Sequence, residues 1–153
     1  MITIRFVTSD SAVSFGIRYF SYGFWASHVE AKMPDGSLLG AHLSGGVMAR
    51  AADYDKGEFS RELYVSLMAS DDEADKFHAF LRSQLGRPYD TEAIAAFVAR
   101  RDWKKTESWF CSELIAAALC QCGFFPDHLA TDLNHVTPRD VLLMLSSRLT
   151  IPA

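Results

Sequence analysis

Strand-like segments crowd into the first seventy residues of this 153-residue chain, and helix signals dominate the rest. That segregation points away from an alternating βαβ sheet and predicts an α+β fold, a small antiparallel sheet packed against helices. Residues 2–7 read as a strand, and 61–68 as another with Leu63, Val65 and Leu67 on one face. Residues 27–33 and 37–43 read as two strands around Pro34-Asp35-Gly36, whose Pro and Gly suit a tight turn. The aromatic-rich stretch 11–21 reads as a helix or irregular segment weakened by Gly16.

Four helices follow. Ser70-Asp71-Asp72-Glu73 is a capping box, and Ala74, Phe77, Leu81 and Leu85 recur behind it at helical spacing until Gly86 and Pro88. A second helix is expected over 91–100. A third runs from about Ser108 to Cys122 with Gly123 as its stop, and a fourth opens at Thr137-Pro138-Arg139-Asp140. No repeat or linker divides the chain, so 1–153 is one expected domain. With 49% hydrophobic residues it can bury a core. A formal charge of −4 gives no basic field for nucleic acid.

Arg5 and Asp10 interrupt any apolar leader, and the apolar run Leu114–Cys120 is too short to span a bilayer. The expectation is a soluble chain, cytoplasmic as synthesised, with its three cysteines reduced.

The turn makes a register prediction. A three-residue loop over Pro34, Asp35 and Gly36 pairs Met33 with Ser37 and sets His28 opposite His42 on one face. Their Cβ atoms would then be about 4.5–5.5 Å apart. A loop one residue shorter or longer would put the rings on opposite faces.

Cys111 falls in the first turn of the third helix, where unpaired N–H groups and the macrodipole favour a thiolate. The competing reading is packing, since Cys111, Leu114, Ile115, Ala118, Leu119 and Cys122 share an apolar face. A cysteine nucleophile needs a base and a third polar group to orient that base, and Cys111, His28 and His42 supply this set.

The stretch LGRPYD, Leu85–Asp90, followed about twenty residues later by WFCSEL, Trp109–Leu114, resembles the NlpC-like cell-wall peptidases. In their standard order the histidine follows the cysteine, whereas here only His128 and His135 follow Cys111, and Ser27-His28-Val29 precedes it. That order is similar to the circularly permuted branch of the papain-like fold, with its YiiX-type proteins and lecithin:retinol acyltransferase-like enzymes. The resemblance spans roughly residues 17–145 and includes the closing VTPRDVL.

It implies a permuted papain-like fold and hydrolysis or transfer at an amide or ester bond, through an acyl-enzyme on Cys111. It makes His28 the base and sets Tyr89 in the site as a substrate or oxyanion contact. His42 stands where acyltransferase-like members carry a second His and YiiX-type members often a Glu. No residue matches papain's oxyanion glutamine, so the Cys111 backbone N–H is the expected donor. The implied partner is a small peptide or lipid-like substrate; no cofactor and no metal are expected, and the sequence does not set the oligomeric state.

Two other functions compete. One is a binding module of the same fold without turnover. The other is a zinc site built from two histidines and a cysteine. Elsewhere, His78 is expected on a solvated helix face and Arg100, Arg101, Lys104 and Lys105 in a solvated loop. Phe15, Tyr19, Phe20, Tyr22, Phe24 and Trp25 read as core, or as the lining of an acyl pocket.

Overall fold

A computed structural model of the chain describes residues 1–9, 12–20, 23–91, 108–125 and 132–147. Five strands form one antiparallel sheet: β1 (Ile2–Ser9), β2 (His28–Lys32), β3 (Leu38–His42), β4 (Gly46–Arg50) and β5 (Phe59–Leu67). Their spatial order is β4-β3-β2-β1-β5, so the first strand of the chain lies inside the sheet. Alternation along β1 then separates two environments. Ile2, Ile4 and Phe6 are fully buried in the apolar core with Val29, Ala31 and Leu39, while Arg5 pairs across to Glu30 on β2 and to Tyr64 on β5.

The helices are α1 (Ala12–Phe20), α2 (Asp71–Ser83), α3 (Cys111–Gln121) and α4 (Pro138–Ser146), with a 3-10 turn at Leu133–His135. The α+β class with an antiparallel sheet is therefore what the strand and helix signals indicated. Ser70 caps α2, accepting from the Glu73 N–H while the Glu73 carboxylate reaches back. Thr137 and Asp140 do the same for α4 behind Pro138. The expected helix over 91–100 and the basic run from Arg100 to Lys105 lie outside the described residues, as does His128.

Helix α3 is the central element. Between Cys111 and Cys120 every residue except Glu113 is buried, and the helix packs against α2, α4, β2 and β3. The Ser112 hydroxyl donates to the Val136 carbonyl at 2.6 Å, tying α3 to the segment that leads into α4. The helix starts three residues later than its composition suggests, because Ser108–Phe110 are extended and used elsewhere.

The β2–β3 turn adopts the register its sequence implied. The Gly36 N–H donates to Met33 O at 2.9 Å and the Met33 N–H to Ser37 O at 2.8 Å, with Gly36 at φ +86°. Ala31 pairs with Leu39 and Lys32 with Leu38.

Three features differ from expectation. Strand β4 extends the sheet beyond the hairpin, although Gly45-Gly46 gave it little strand character. His78 is not solvated but 5% exposed, its ring edge-on to Phe77. Phe15 and Tyr19 are exposed on α1 rather than packed in the core.

Candidate functional site

The two stretches that carry the family resemblance meet in space. Tyr89 and Trp109 form a parallel bridge, in which the Trp109 N–H donates to Pro88 O and the Asp90 N–H to Trp109 O, both at 3.0 Å. Trp109 Nε1 also donates to Gln84 Oε1 at 3.0 Å. The same segment is held to β4, with the Val47 N–H donating to Arg87 O at 2.8 Å and the Gly86 N–H to Val47 O at 2.9 Å. Tyr89 is thereby fixed beside the start of α3, its ring 5.8 Å from that of Phe110.

Cys111 is the first residue of α3 and His28 the first of β2, and the two meet. Burial alone would lower the pKa of the His28 imidazole. The adjacent Cys111 thiol and Glu30 carboxylate outweigh that effect and push it up to about 10. Tyr89 is raised by its burial and then by the Cys111 charge, so its hydroxyl keeps its proton as a donor.

Glu30 is the site residue that sequence reading missed. It is fully buried, and its two oxygens have separate tasks. Oε1 accepts from Arg5 Nη1 at 2.6 Å. Oε2 lies 3.5 Å from His28 Nε2 and 3.6 Å from His42 Nε2, which is ion-pair distance but too long for a hydrogen bond. The Tyr54 hydroxyl approaches both oxygens, at 3.4 and 3.3 Å. Burial would raise the Glu30 pKa, but His28, His42 and Arg5 outweigh it and hold the carboxyl at about 2.

Gly40 makes room for this side chain. A Cβ at Gly40 would stand 2.8 Å from Glu30 Cβ, inside any real contact. Arg5 in turn holds three carboxylates, with Nε 2.5 Å from Glu62 and Nη2 2.9 Å from Asp55 in addition to Glu30.

His42 points toward His28, their ring centroids 4.9 Å apart and tilted by 40°. The rings do not bond each other directly; both turn Nε2 to Glu30. Burial, then the His28 charge, pushes His42 down to about 3, so it is neutral beside a charged neighbour.

All four residues singled out in the sequence, Cys111, His28, His42 and Tyr89, thus lie in one place. A cleft of about 300 Å³ opens on it, lined by His28, His42, Tyr54 and Tyr89 with Ile17 and Phe59. Cys111 is fully buried beneath.

Other candidates separate from this site. Cys120 and Cys122 are buried, and burial pushes the Cys122 thiol up, away from reactivity. His135 is exposed on the 3-10 turn. Among the described residues, the potential metal-ligating atoms that converge are those of His28, Glu30 and His42 rather than two histidines and a cysteine. Among the described residues no helix is long and apolar enough to cross a membrane. Compared with known proteins, the chain matches no family model and no curated sequence.

Proposed function

We propose that this chain is a permuted papain-like cysteine hydrolase or acyltransferase acting on an amide or ester bond, with Cys111 as nucleophile and His28 as base. The observation that carries the reading is the His28 imidazole beside the Cys111 thiol, with a buried carboxylate behind it. A thiolate–imidazolium pair needs such an acceptor to hold the ring and its charge. Glu30 takes the orienting role, held from its other oxygen by Arg5, while the neutral His42 faces the same oxygen as His28.

In the first step the Cys111 sulfur attacks the carbonyl carbon. The C–S bond forms, the C–N or C–O bond breaks, and the imidazolium proton goes to the leaving amine or alkoxide. Water or another acceptor then attacks the thioester carbon and gives its proton to His28, and the C–S bond breaks to release the acyl product and the Cys111 thiolate, restoring the pair. The backbone N–H of Cys111, first in its helix and without an intrahelical acceptor, is an oxyanion donor, and the protonated Tyr89 hydroxyl is a second. The substrate class that suits a cleft this small is a cell-wall peptide or an acyl lipid presenting one carbonyl.

A binding module of the same fold is favoured by one observation, the complete burial of Cys111. Intact-mass analysis after incubation with peptidoglycan fragments and acyl lipids separates the two. An acyl adduct that is absent in Cys111→Ala, and that forms about 10²–10⁴-fold more slowly in a folded His28→Ala, supports the enzyme. Saturable binding of a fragment with no adduct at any time would leave the binder.

A further inference from the structure

We propose that His28, Glu30 and His42 form a site for one divalent transition ion of the Zn²⁺ class, and that the ion, when bound, takes His28 away from Cys111. The site stands on geometry alone, whereas the consequence for Cys111 rests on the cysteine–histidine reading above. His28 Nε2 and His42 Nε2 are both buried, and among the described residues neither has a hydrogen-bond partner. Two buried orphan nitrogens on neighbouring strands are costly, and both face the same oxygen, Glu30 Oε2.

The distances favour an ion over a direct bond. A hydrogen bond would bring nitrogen and oxygen to about 2.9 Å. The ligands of a tetrahedral zinc, each about 2.0–2.1 Å from the metal, stand about 3.4 Å apart. The observed separations are 3.5 and 3.6 Å, and all three ligand atoms lie within 4.8 Å of one another.

The surroundings match what a metal site requires. Two imidazoles and one carboxylate are a zinc ligand set that leaves a fourth position open. The carboxylate is itself oriented, its other oxygen held by Arg5 at 2.6 Å, as outer-shell partners hold ligating carboxylates. Once an ion displaces the His28 proton, the three carboxylates around Arg5 outnumber Arg5 and Arg50, the latter over the Tyr54 ring, and the balance favours a cation. Gly40 lets Glu30 keep this position, since a Cβ there would stand 2.8 Å from Glu30 Cβ. An imidazole whose Nε2 lone pair is committed to a metal cannot shuttle the proton of Cys111.

The test uses the whole chain, stripped with chelator and titrated with Zn²⁺ against a chromophoric competitor, with Co²⁺ as a spectroscopic stand-in. One equivalent should bind to the wild type and equally to Cys111→Ala, with the intense visible bands of tetrahedral Co²⁺. His42→Ala and Glu30→Gln should lose it; because Glu30→Gln leaves Arg5 short of a partner, His42→Ala decides if that variant does not fold. No binding, binding that survives His42→Ala, or binding that disappears in Cys111→Ala would each overturn the site.

In the second arm, iodoacetamide labelling of Cys111 should slow at least about tenfold when the ion is bound and recover with chelator. Unchanged labelling would overturn the effect on the thiol. Zinc bound as described with no acyl adduct in the metal-free chain would sink the proposed enzyme and leave the metal site standing.

Discussion

Arg5 Nη1 donates to Glu30 Oε1 at 2.6 Å, which leaves Oε2 as the oxygen that faces both His28 and His42. The two residues sit directly opposite each other on β1 and β2, so the order of the site begins in the middle of the sheet. From Arg5 the chain of contacts runs outward to Glu30, then to the two imidazoles, and then to the thiol at the head of α3. Each link lies on a strand or a helix end, and the rigidity of the sheet passes to the groups that would handle protons.

Arg5→Lys should therefore be far from conservative. The guanidinium uses Nε, Nη1 and Nη2 on three different carboxylates, and a single ammonium cannot reproduce that fork. Arg5 is 1% exposed and Glu30 fully buried, so a poorly matched replacement leaves buried charge unpaired. A loss of about 2–4 kcal/mol in urea unfolding is expected, together with slower labelling of Cys111. An Arg5→Lys protein as stable as the wild type would show that the three carboxylates do not depend on the fork.

Gly40 offers a second, smaller perturbation of the same link. A methyl group at this position would meet Glu30 Cβ at 2.8 Å and Cα at 3.5 Å, both on a fixed strand, so Glu30 must shift. Gly40→Ala should cost about 1–3 kcal/mol and, on the proposed cysteine-hydrolase reading, reduce turnover with it. Gly16, inside α1 with nothing within 4 Å of a built Cβ, is the control, and Gly16→Ala should gain about 0.5–1 kcal/mol. Thermal unfolding of the two variants side by side checks both signs; a neutral Gly40→Ala would mean that Glu30 is free to move.

The hairpin was legible in the sequence because its determinants are local. Pro34, Asp35 and Gly36 specify the loop, the loop specifies the register, and the register brings His28 to His42. The caps of α2 and α4 were legible for the same reason. Glu30 was not. In His28-Val29-Glu30-Ala31-Lys32 it reads as one more residue of a polar, outward face, and only a neighbouring strand that carries Arg5 turns that face into a buried site. Arg5 read as an interruption of an apolar stretch, because its partners Glu30 on β2, Glu62 on β5 and Asp55 are remote in sequence. His78 was misplaced by a related limit: helical periodicity locates the centre of a buried face better than its edge.

The pH dependence of stability should show the two histidines working in opposite directions. Burial disfavours charge on His28, but Cys111 and Glu30 outweigh it and raise the imidazole to about 10, above its ordinary 6.5. The folded chain then keeps a proton that the unfolded chain gives up, so this stabilisation is complete below pH 6.5 and is lost as the pH rises through about 10. His42 is lowered by burial, and then by the His28 charge, to about 3. Between pH 6.5 and 3 the unfolded chain takes up a proton that folded His42 refuses, so stability falls as the pH drops across that window. Glu30, held at about 2 against an ordinary 4.5, contributes stability above 4.5 that disappears as the pH falls through about 2. These terms together place the maximum near pH 6.5, with each single-group slope limited to about 1.4 kcal/mol per pH unit. Urea unfolding from pH 3 to 10 measures both limbs. His42→Gln should flatten the acid limb between 6.5 and 3, and His28→Gln the alkaline limb up to about 10. An acid limb equally steep without His42 would show that its ring is protonated in the fold, and the neutral partner assigned to it beside His28 would have to be abandoned.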